Sequence, residues 1–465
     1  MPAVDVAIVG GGISGLAALH YLRRRRPEWT VVLLESDTRL GGTIGTDIAE
    51  GYSFDWGPNG FLDREPLTLA LCDELGLRDR IERANNNVSN RFIARGGRLR
   101  PVPMSPPKFL ASDILSIKGR LRVLMEPFAP GPADKSDESV YSFAERRIGK
   151  EAADYLVQPM VSGVYGGVAE RLSLKSCFPV MHEMESEYGS LVKAMIARKR
   201  LARAKGKKSG GPAGPGGWLT SFHGGLYGII ERFGELYRDF VRTGSPVERI
   251  EKEDGLYRLR LRNSEPITAR FVILALPSFA ASPVVAPLSP GLATALSAIP
   301  YAPITVVCLG YDKRNVRRSL DGFGFLVPRR EGLTILGSIW TSSIFARRAP
   351  EGKVQFRTMV GGDGDHGSVN LSDSALVDRV CRDMDSLLGL TGEPELLRIY
   401  RWSHGIPQYR IGHAEIVKQL EAELKWAGNL YVTGNAYYGI GLNDCVRQSH
   451  RVVEAILADS ARVSS

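Results

Sequence analysis

The chain has 465 residues, 43% hydrophobic and 24% charged, with a formal net charge of +9, which places it among ordinary globular proteins with room for two or three domains. Its five cysteines, Cys72, Cys177, Cys308, Cys381 and Cys445, lie far apart, which excludes a readable disulfide framework or zinc motif, and no metal site is expected. The positive balance allows an anionic partner such as a membrane surface, a polyanion or an acidic substrate.

The chain runs directly into the apolar segment Val4 to Val9, with no signal-peptide pattern, so an intracellular, cytoplasmic location is expected. That segment reads as a strand. Gly10, Gly11, Gly12, Ile13, Ser14 and Gly15 follow, then a helical run from Leu16 to the basic end Arg23 to Arg26, a second strand Thr30 to Leu34, and Glu35. The order is that of a dinucleotide-binding unit. Gly10 permits a sharp turn, Gly12 removes a Cβ that would hold a pyrophosphate away, and Gly15 lets helix and strand pack closely. Glu35 stands where a carboxylate accepts hydrogen bonds from ribose hydroxyls. Next comes Arg39-Leu40-Gly41-Gly42, the arginine-glycine-glycine sequence of flavoproteins resembling amine oxidases and carotenoid desaturases, so FAD is expected rather than NAD.

Residues 43 to 60 are read as a continuation of this unit, an alternating strand over Tyr52 to Asp55 leading into the turn Gly57-Pro58-Asn59-Gly60. Such a turn can bring backbone N–H groups to a flat ring. A helix is expected over 65–77, and a hairpin turned by Gly96-Gly97 over 90–103. From 104 to 210 prolines break up short helices, 139–161 is amphipathic, and the basic run Arg198 to Lys208 passes into the glycine- and proline-rich stretch Ser209 to Gly217, read as a flexible linker. The basic run suits anionic lipid at about 1 kcal/mol per cation, or simply a solvated helix end. A helix is expected over 219–240, a short strand at Val247, a charged hairpin over 250–267 and a buried strand over 269–277. The long uncharged stretch Phe271 to Tyr311 is interrupted by six prolines, so no spanning helix is expected there. Strands over 304–311, 323–328, 333–339 and 354–361 and a helix over 374–388 follow. The chain closes with a strand ending at Gly434 and a last helix entered through Gly439 to Asp444.

Several pieces resemble oxygen-dependent protoporphyrinogen oxidase, within the amine-oxidase-like flavoproteins. They are Gly41 to Thr46, Gly57 to Asn59, Asn90 to Phe92, Ser162 to Gly167, Gly322 to Pro328, Gly405 to Tyr409 and Gly439 to Cys445. Thr43 stands where amine oxidases usually carry another arginine. The resemblance runs in order along nearly the whole chain.

It implies an α/β (α+β overall) chain with a Rossmann-like FAD-binding domain of the amine oxidase type, assembled from residues 1–84, 212–285 and 403–465. It further implies a mixed-sheet substrate domain from 85–95 and 286–402, and an α-helical, membrane-binding module over 96–211. FAD would be bound non-covalently by Gly10, Gly11, Gly12, Ile13, Ser14, Gly15, Glu35, Ser36, Arg39, Gly42, Thr43, Gly57, Pro58, Asn59, Gly60, Val247, Trp402, Gly434, Ile440, Gly441 and Leu442. Substrate would be protoporphyrinogen IX, oxidised with O2 as acceptor, with Arg91 pairing a propionate. Phe323, Leu326, Ile339 and Met359 would form apolar walls, and Asn59, Gly163, Gly166 and Gly167 would lie beside the ring. No side chain is assigned as acid or base, and His404 and His413 are read as structural. Further partners would be the cytoplasmic face of a membrane and the next enzyme of the pathway, in a homodimer or a monomer, with no nucleic acid. The rival readings are coproporphyrinogen III oxidation, an amine oxidase or carotenoid desaturase, and a flavoprotein scaffold in tetrapyrrole transfer.

Overall fold

The computed structural model describes residues 3–103, 105–132, 134, 136–204 and 217–463. The linker expected over 209–217 lies almost wholly outside them. Two seven-stranded sheets carry the fold. In the first, Val4–Val9 lies between Val31–Leu34 and Ile267–Leu274, parallel to both. Val31–Leu34 and the last four residues of Val4–Val9 are buried, as suits parallel strands covered on both faces. Strand Ile267–Leu274 has a divided outer edge. Its first half pairs antiparallel with Leu256–Leu261, and its second half runs parallel to Leu430–Val432. The last strand of the chain thereby returns beside the first.

Helices Ile13–Arg25 and Leu442–Val463 cover one face of this sheet, with Leu16, Leu19, Val446 and Val453 in a shared core. The other face is covered by three helices, Ser278–Val285, Pro290–Ser297 and His413–Ala427, and the hairpin Val247–Glu253 with Leu256–Leu261, which extends the sheet at its edge, adds Ile250, Tyr257 and Leu259 to the same core. In the second sheet the order is Leu396–Pro407, Tyr301–Asp312, Lys353–Gly361, Ile335–Trp340, Gly322–Leu326, Asn90–Arg95, Arg98–Pro101. Only the pairing of Gly322–Leu326 with Asn90–Arg95 is parallel. Leu376, Val380 and Met384 of helix Asp373–Leu388 close one face. The other face meets the hairpin Thr46–Ala49 with Tyr52–Asp55, which belongs in sequence to the first sheet.

Three local expectations are corrected. Tyr52–Asp55 is buried throughout rather than alternating, because it is clasped between the two halves of the molecule. The helix expected over 219–240 begins as strand Leu219–Phe222, which pairs with Phe61–Leu62 and Ile81–Arg83, and turns helical only at Gly228–Leu236. The amphipathic stretch 139–161 is divided at Gly149, whose φ of +88° ends the helix Val140–Ile148, and continues through a π-helical turn at Ala153–Val157. Leu396–Pro407 is a twelve-residue edge strand in a stretch for which the sequence suggests no element. Among the described residues no helix is long and apolar enough to cross a membrane.

Candidate functional site

The cofactor half of the site is made by backbone. Gly10 has φ +109°, and a Cβ on it would lie 2.6 Å from the Ala275 carbonyl oxygen, while a Cβ on Gly15 would collide with the Gly10 carbonyl. Both glycines are therefore demanded by the protein itself. Gly12 is different. A Cβ there would meet nothing within 4 Å, and one on Gly42 would meet only the Gly12 Cα at 3.8 Å. An open cleft lies at the start of helix Ile13–Arg25, which has no side-chain cap and no acidic residue in its first turn. Its free N–H groups and positive dipole end suit a phosphate.

The Glu35 carboxylate accepts hydrogen bonds from the N–H of Gly11 at 2.6 Å, the N–H of Asp37 at 2.8 Å and the hydroxyl of Ser36 at 3.1 Å. A carboxylate has about four acceptor positions, so capacity remains for a ribose. The Ser245 N–H donates to the Glu35 carbonyl at 2.8 Å, which brings Val247 to within two residues of this corner. Arg39 is largely spent on its own loop, donating to the carbonyls of Leu40, Gly42 and Ile44 and lying 4.4 Å over the Trp56 ring. The turn Gly57–Gly60 is held close: a Cβ on Gly57 would strike the Thr43 carbonyl, and one on Gly60 would lie 2.6 Å from that of Thr220. Asn59 Nδ2 is buried with no hydrogen-bond partner, an orphan donor suited to a polar ligand edge. Trp402 donates its indole N–H to the Trp56 carbonyl at 3.3 Å.

At the far end of the chain, Leu442 is buried in the core that also holds Ile13, Ile44 and Phe61. Asn443 donates to the Leu62 carbonyl at 2.8 Å, and Asp444 accepts from the Gly441 N–H at 3.1 Å. Ile440 packs against the Tyr165 and Tyr409 cluster, and Gly434, at φ +140°, ends the last strand. The open cleft, the uncapped helix start, the acidic corner and the orphan amide together fit FAD.

The second half of the site is made by side chains on one face of the second sheet. Residues directly opposite in an antiparallel pair share a face. Gly337 is opposite both Leu326 and Met359, and Ile339 is opposite Arg357, so Leu326, Ile339, Met359 and Arg357 project together. Arg91 points away from its buried neighbour Phe92 and lies 4.9 Å over the Phe323 ring. Its burial lowers its basicity but leaves a guanidinium charged at neutral pH. Gly163 brings its helix, Gln158–Tyr165, onto this wall, since a Cβ would lie 2.6 Å from Leu326 Cδ2. At Gly166 and Gly167 the space of a Cβ is likewise filled by protein, by Ile304 and by Leu172 with Gln408.

A buried polar network joins the halves. Asp55 pairs with Arg348 at 3.0 Å, both almost without exposure. Asp55 also accepts from the Thr46 hydroxyl at 2.7 Å and the Leu226 N–H at 3.0 Å, and Arg348 donates to the Ser221 hydroxyl at 2.7 Å. Burial raises the Asp55 pKa, opposed chiefly by the Arg348 charge. Sequence reasoning missed Asp55, Arg348, Gln355 and Arg357. A signal existed for the last two, because a period of two from Met359 puts both on its face.

His404 is exposed, stacked on Phe279 at 4.3 Å. His413 is buried, stacked on Tyr409 at 4.0 Å, with Nε2 3.3 Å from the Tyr437 carbonyl oxygen.

Comparison with known proteins gives concordant results. The family model described as flavin containing amine oxidoreductase matches residues 13–457. The coproporphyrinogen III oxidase of Bacillus subtilis is 31% identical, over 97% of this chain and 97% of that protein. The chloroplastic protoporphyrinogen oxidase of Oryza sativa is 32% identical, over 98% of this chain and 88% of that one. A crystal structure from Exiguobacterium, assigned provisionally as a protoporphyrinogen oxidase, superposes with a TM-score of 0.83 at 28% identity, covering 99% of this chain and 100% of its own.

Proposed function

The chain belongs to the flavin containing amine oxidoreductases, an oxidoreductase with FAD as its cofactor, and we propose that it oxidises protoporphyrinogen IX to protoporphyrin IX with O2 as acceptor. The observation that carries this reading is the face on which Leu326, Ile339 and Met359 project, with Phe323 packed beside Ile339 and a half-buried cation, Arg91, over the Phe323 ring. A broad apolar wall with a guanidinium at its rim suits a flat macrocycle with carboxylate arms on one side. Removing six hydrogens takes three two-electron steps, for which FAD, when bound, would supply the electron acceptor, with O2 as the final oxidant reduced to H2O2.

The chain's own residues bind and orient. Gly12 and the helix start receive the phosphates, Glu35 the ribose, and the Gly57–Gly60 turn the flat ring. The apolar wall excludes water, and Arg91 fixes the macrocycle at its propionate edge. The residues 96–211 are assigned a membrane-facing role. Ile117 and Phe128 are 71% and 78% exposed, with Leu121, Leu124 and Met125 exposed between them and Lys118 and Arg120 alongside. Such a patch favours an interface of acyl chains and anionic headgroups.

Coproporphyrinogen III is the second reading, favoured by the Bacillus subtilis relative and by a second cation, Arg357, on the wall. Parallel turnover of the two porphyrinogens under air, followed by porphyrin fluorescence, decides. Higher kcat/KM on protoporphyrinogen IX is expected, and a preference for coproporphyrinogen III would overturn the substrate named here.

A further inference from the structure

Arg357 lies in strand Lys353–Gly361 between Gln355 and Met359, so all three side chains project from one face. Opposite this face runs the hairpin strand Tyr52–Asp55 and its exit turn, and the two runs interlock with the same period. Gln355 Nε2 donates to the Ser53 carbonyl at 2.8 Å, Arg357 Nε to the Asp55 carbonyl at 3.3 Å, and Arg357 Nη2 to the Gly57 carbonyl. Gln355 and Arg357 thus take up carbonyls 53, 55 and 57 in step. The next residue in the series, Met359, is a wall residue, and Ile339 stands directly across from Arg357.

Arg357 is only 7% exposed. The Asp55 carboxylate, whose charge acts on Arg357, is already engaged by Arg348, Thr46 and Leu226, and no ion pair forms between it and Arg357 among the described residues. The third guanidinium nitrogen, Nη1, makes no hydrogen bond to any described residue. A nearly buried cation without a carboxylate partner is costly to keep, and an open donor on it points to a ligand that completes it.

We infer that Arg357 is a positioning and anion-binding residue. It fixes the Gly57–Gly60 turn against the Ile339 and Met359 wall, and it presents Nη1 to an anionic oxygen of a molecule bound between turn and wall. This rests on the flavin-dependent porphyrinogen reading for the two sources of that oxygen, the flavin ring or a substrate carboxylate.

The test compares wild type with Arg357→Gln, Arg357→Met and Arg357→Lys. The readouts are thermal midpoint, FAD dissociation constant of the apoprotein, midpoint potential of the bound flavin, and KM for protoporphyrinogen IX and coproporphyrinogen III. Arg357→Gln and Arg357→Met should weaken FAD by about tenfold. Arg357→Lys should restore little of that, since an ammonium does not span two carbonyls as a planar fork does. If the oxygen belongs to the flavin, the neutral variants also shift the reduction equilibrium by about tenfold, about 30 mV for a two-electron couple, with KM unchanged. If it belongs to a substrate carboxylate, KM rises about tenfold with the potential unchanged, and Arg357→Lys recovers most of the KM. Either result supports the inference. A lowered thermal midpoint with FAD affinity, potential and both KM values within about twofold of wild type would overturn it. Wild-type protein that oxidises neither porphyrinogen removes the substrate reading, and FAD affinity and potential then decide Arg357 alone.

Discussion

The two sheets build their parts of the site by opposite means. In the parallel sheet around Val4–Val9 the backbone is the instrument: glycines and a helix start shape a cleft, and most of the residues concerned lie within the first sixty. In the antiparallel-rich sheet the backbone only sets a register, and side chains from Asn90–Arg95, Gly322–Leu326, Ile335–Trp340 and Lys353–Gly361 are collected on one face. The first kind of site tolerates change poorly at single atoms of the main chain. The second is tuned residue by residue.

The contrast breaks most sharply where the halves are fastened. Arg348→Met leaves the Asp55 carboxylate buried and unpaired, and should cost about 3–5 kcal/mol in unfolding free energy, read by denaturant titration. Loss of less than about 1 kcal/mol would mean that the halves do not depend on this pair. In the backbone-built half, Gly12→Val should leave the fold of the apoprotein intact, since its Cβ meets no protein atom within 4 Å. FAD affinity should fall by about 100-fold, near 2.7 kcal/mol. Gly10→Val should instead destabilise the apoprotein, because the collision is with the Ala275 carbonyl. Equal thermal midpoints for the two variants would remove the distinction.

In the side-chain-built half a single truncation should act on binding alone. Arg91→Ala is expected to raise KM by about tenfold with kcat within about twofold, as for a contact remote from the reacting carbon. An unchanged KM would release Arg91 from the propionate role. The smallest effect concerns His413, whose pKa burial lowers below its ordinary 6.5, with the Tyr437 carbonyl partly opposing. Below pH 6.5 the unfolded chain takes up a proton that folded His413 resists, so stability falls as pH drops through that window and is unaffected above it. His20 shifts in the same direction, also by burial. In His413→Gln the slope of thermal midpoint against pH below 6.5 should become shallower, and an unchanged slope would assign the dependence elsewhere.

This division also explains what was legible in the sequence. Gly10, Gly15 and Glu35 are spaced by local geometry, so their pattern survives in one dimension. The wall residues Phe323, Leu326, Ile339 and Met359 were reached through a family resemblance, because alone they read as core. Arg357 and Arg348 were missed, since their partners Gly57 and Asp55 lie about three hundred residues away. The strand Leu219–Phe222 reads as helix in the sequence, because its strand partners are two short strands before residue 84. Helix His413–Ala427 was overlooked: it starts after Gly412 without a side-chain cap, and so carries no entry signal of the usual kind.

One titration tests porphyrinogen oxidation by this protein most directly. FAD-loaded protein, kept anaerobic, is titrated with protoporphyrinogen IX while the flavin absorbance and porphyrin fluorescence are recorded together. Six-electron oxidation predicts complete bleaching at about one third of an equivalent of porphyrinogen per flavin, with protoporphyrin appearing in step and the absorbance returning on admission of air. A flavin that stays oxidised through a full equivalent would contradict the central claim.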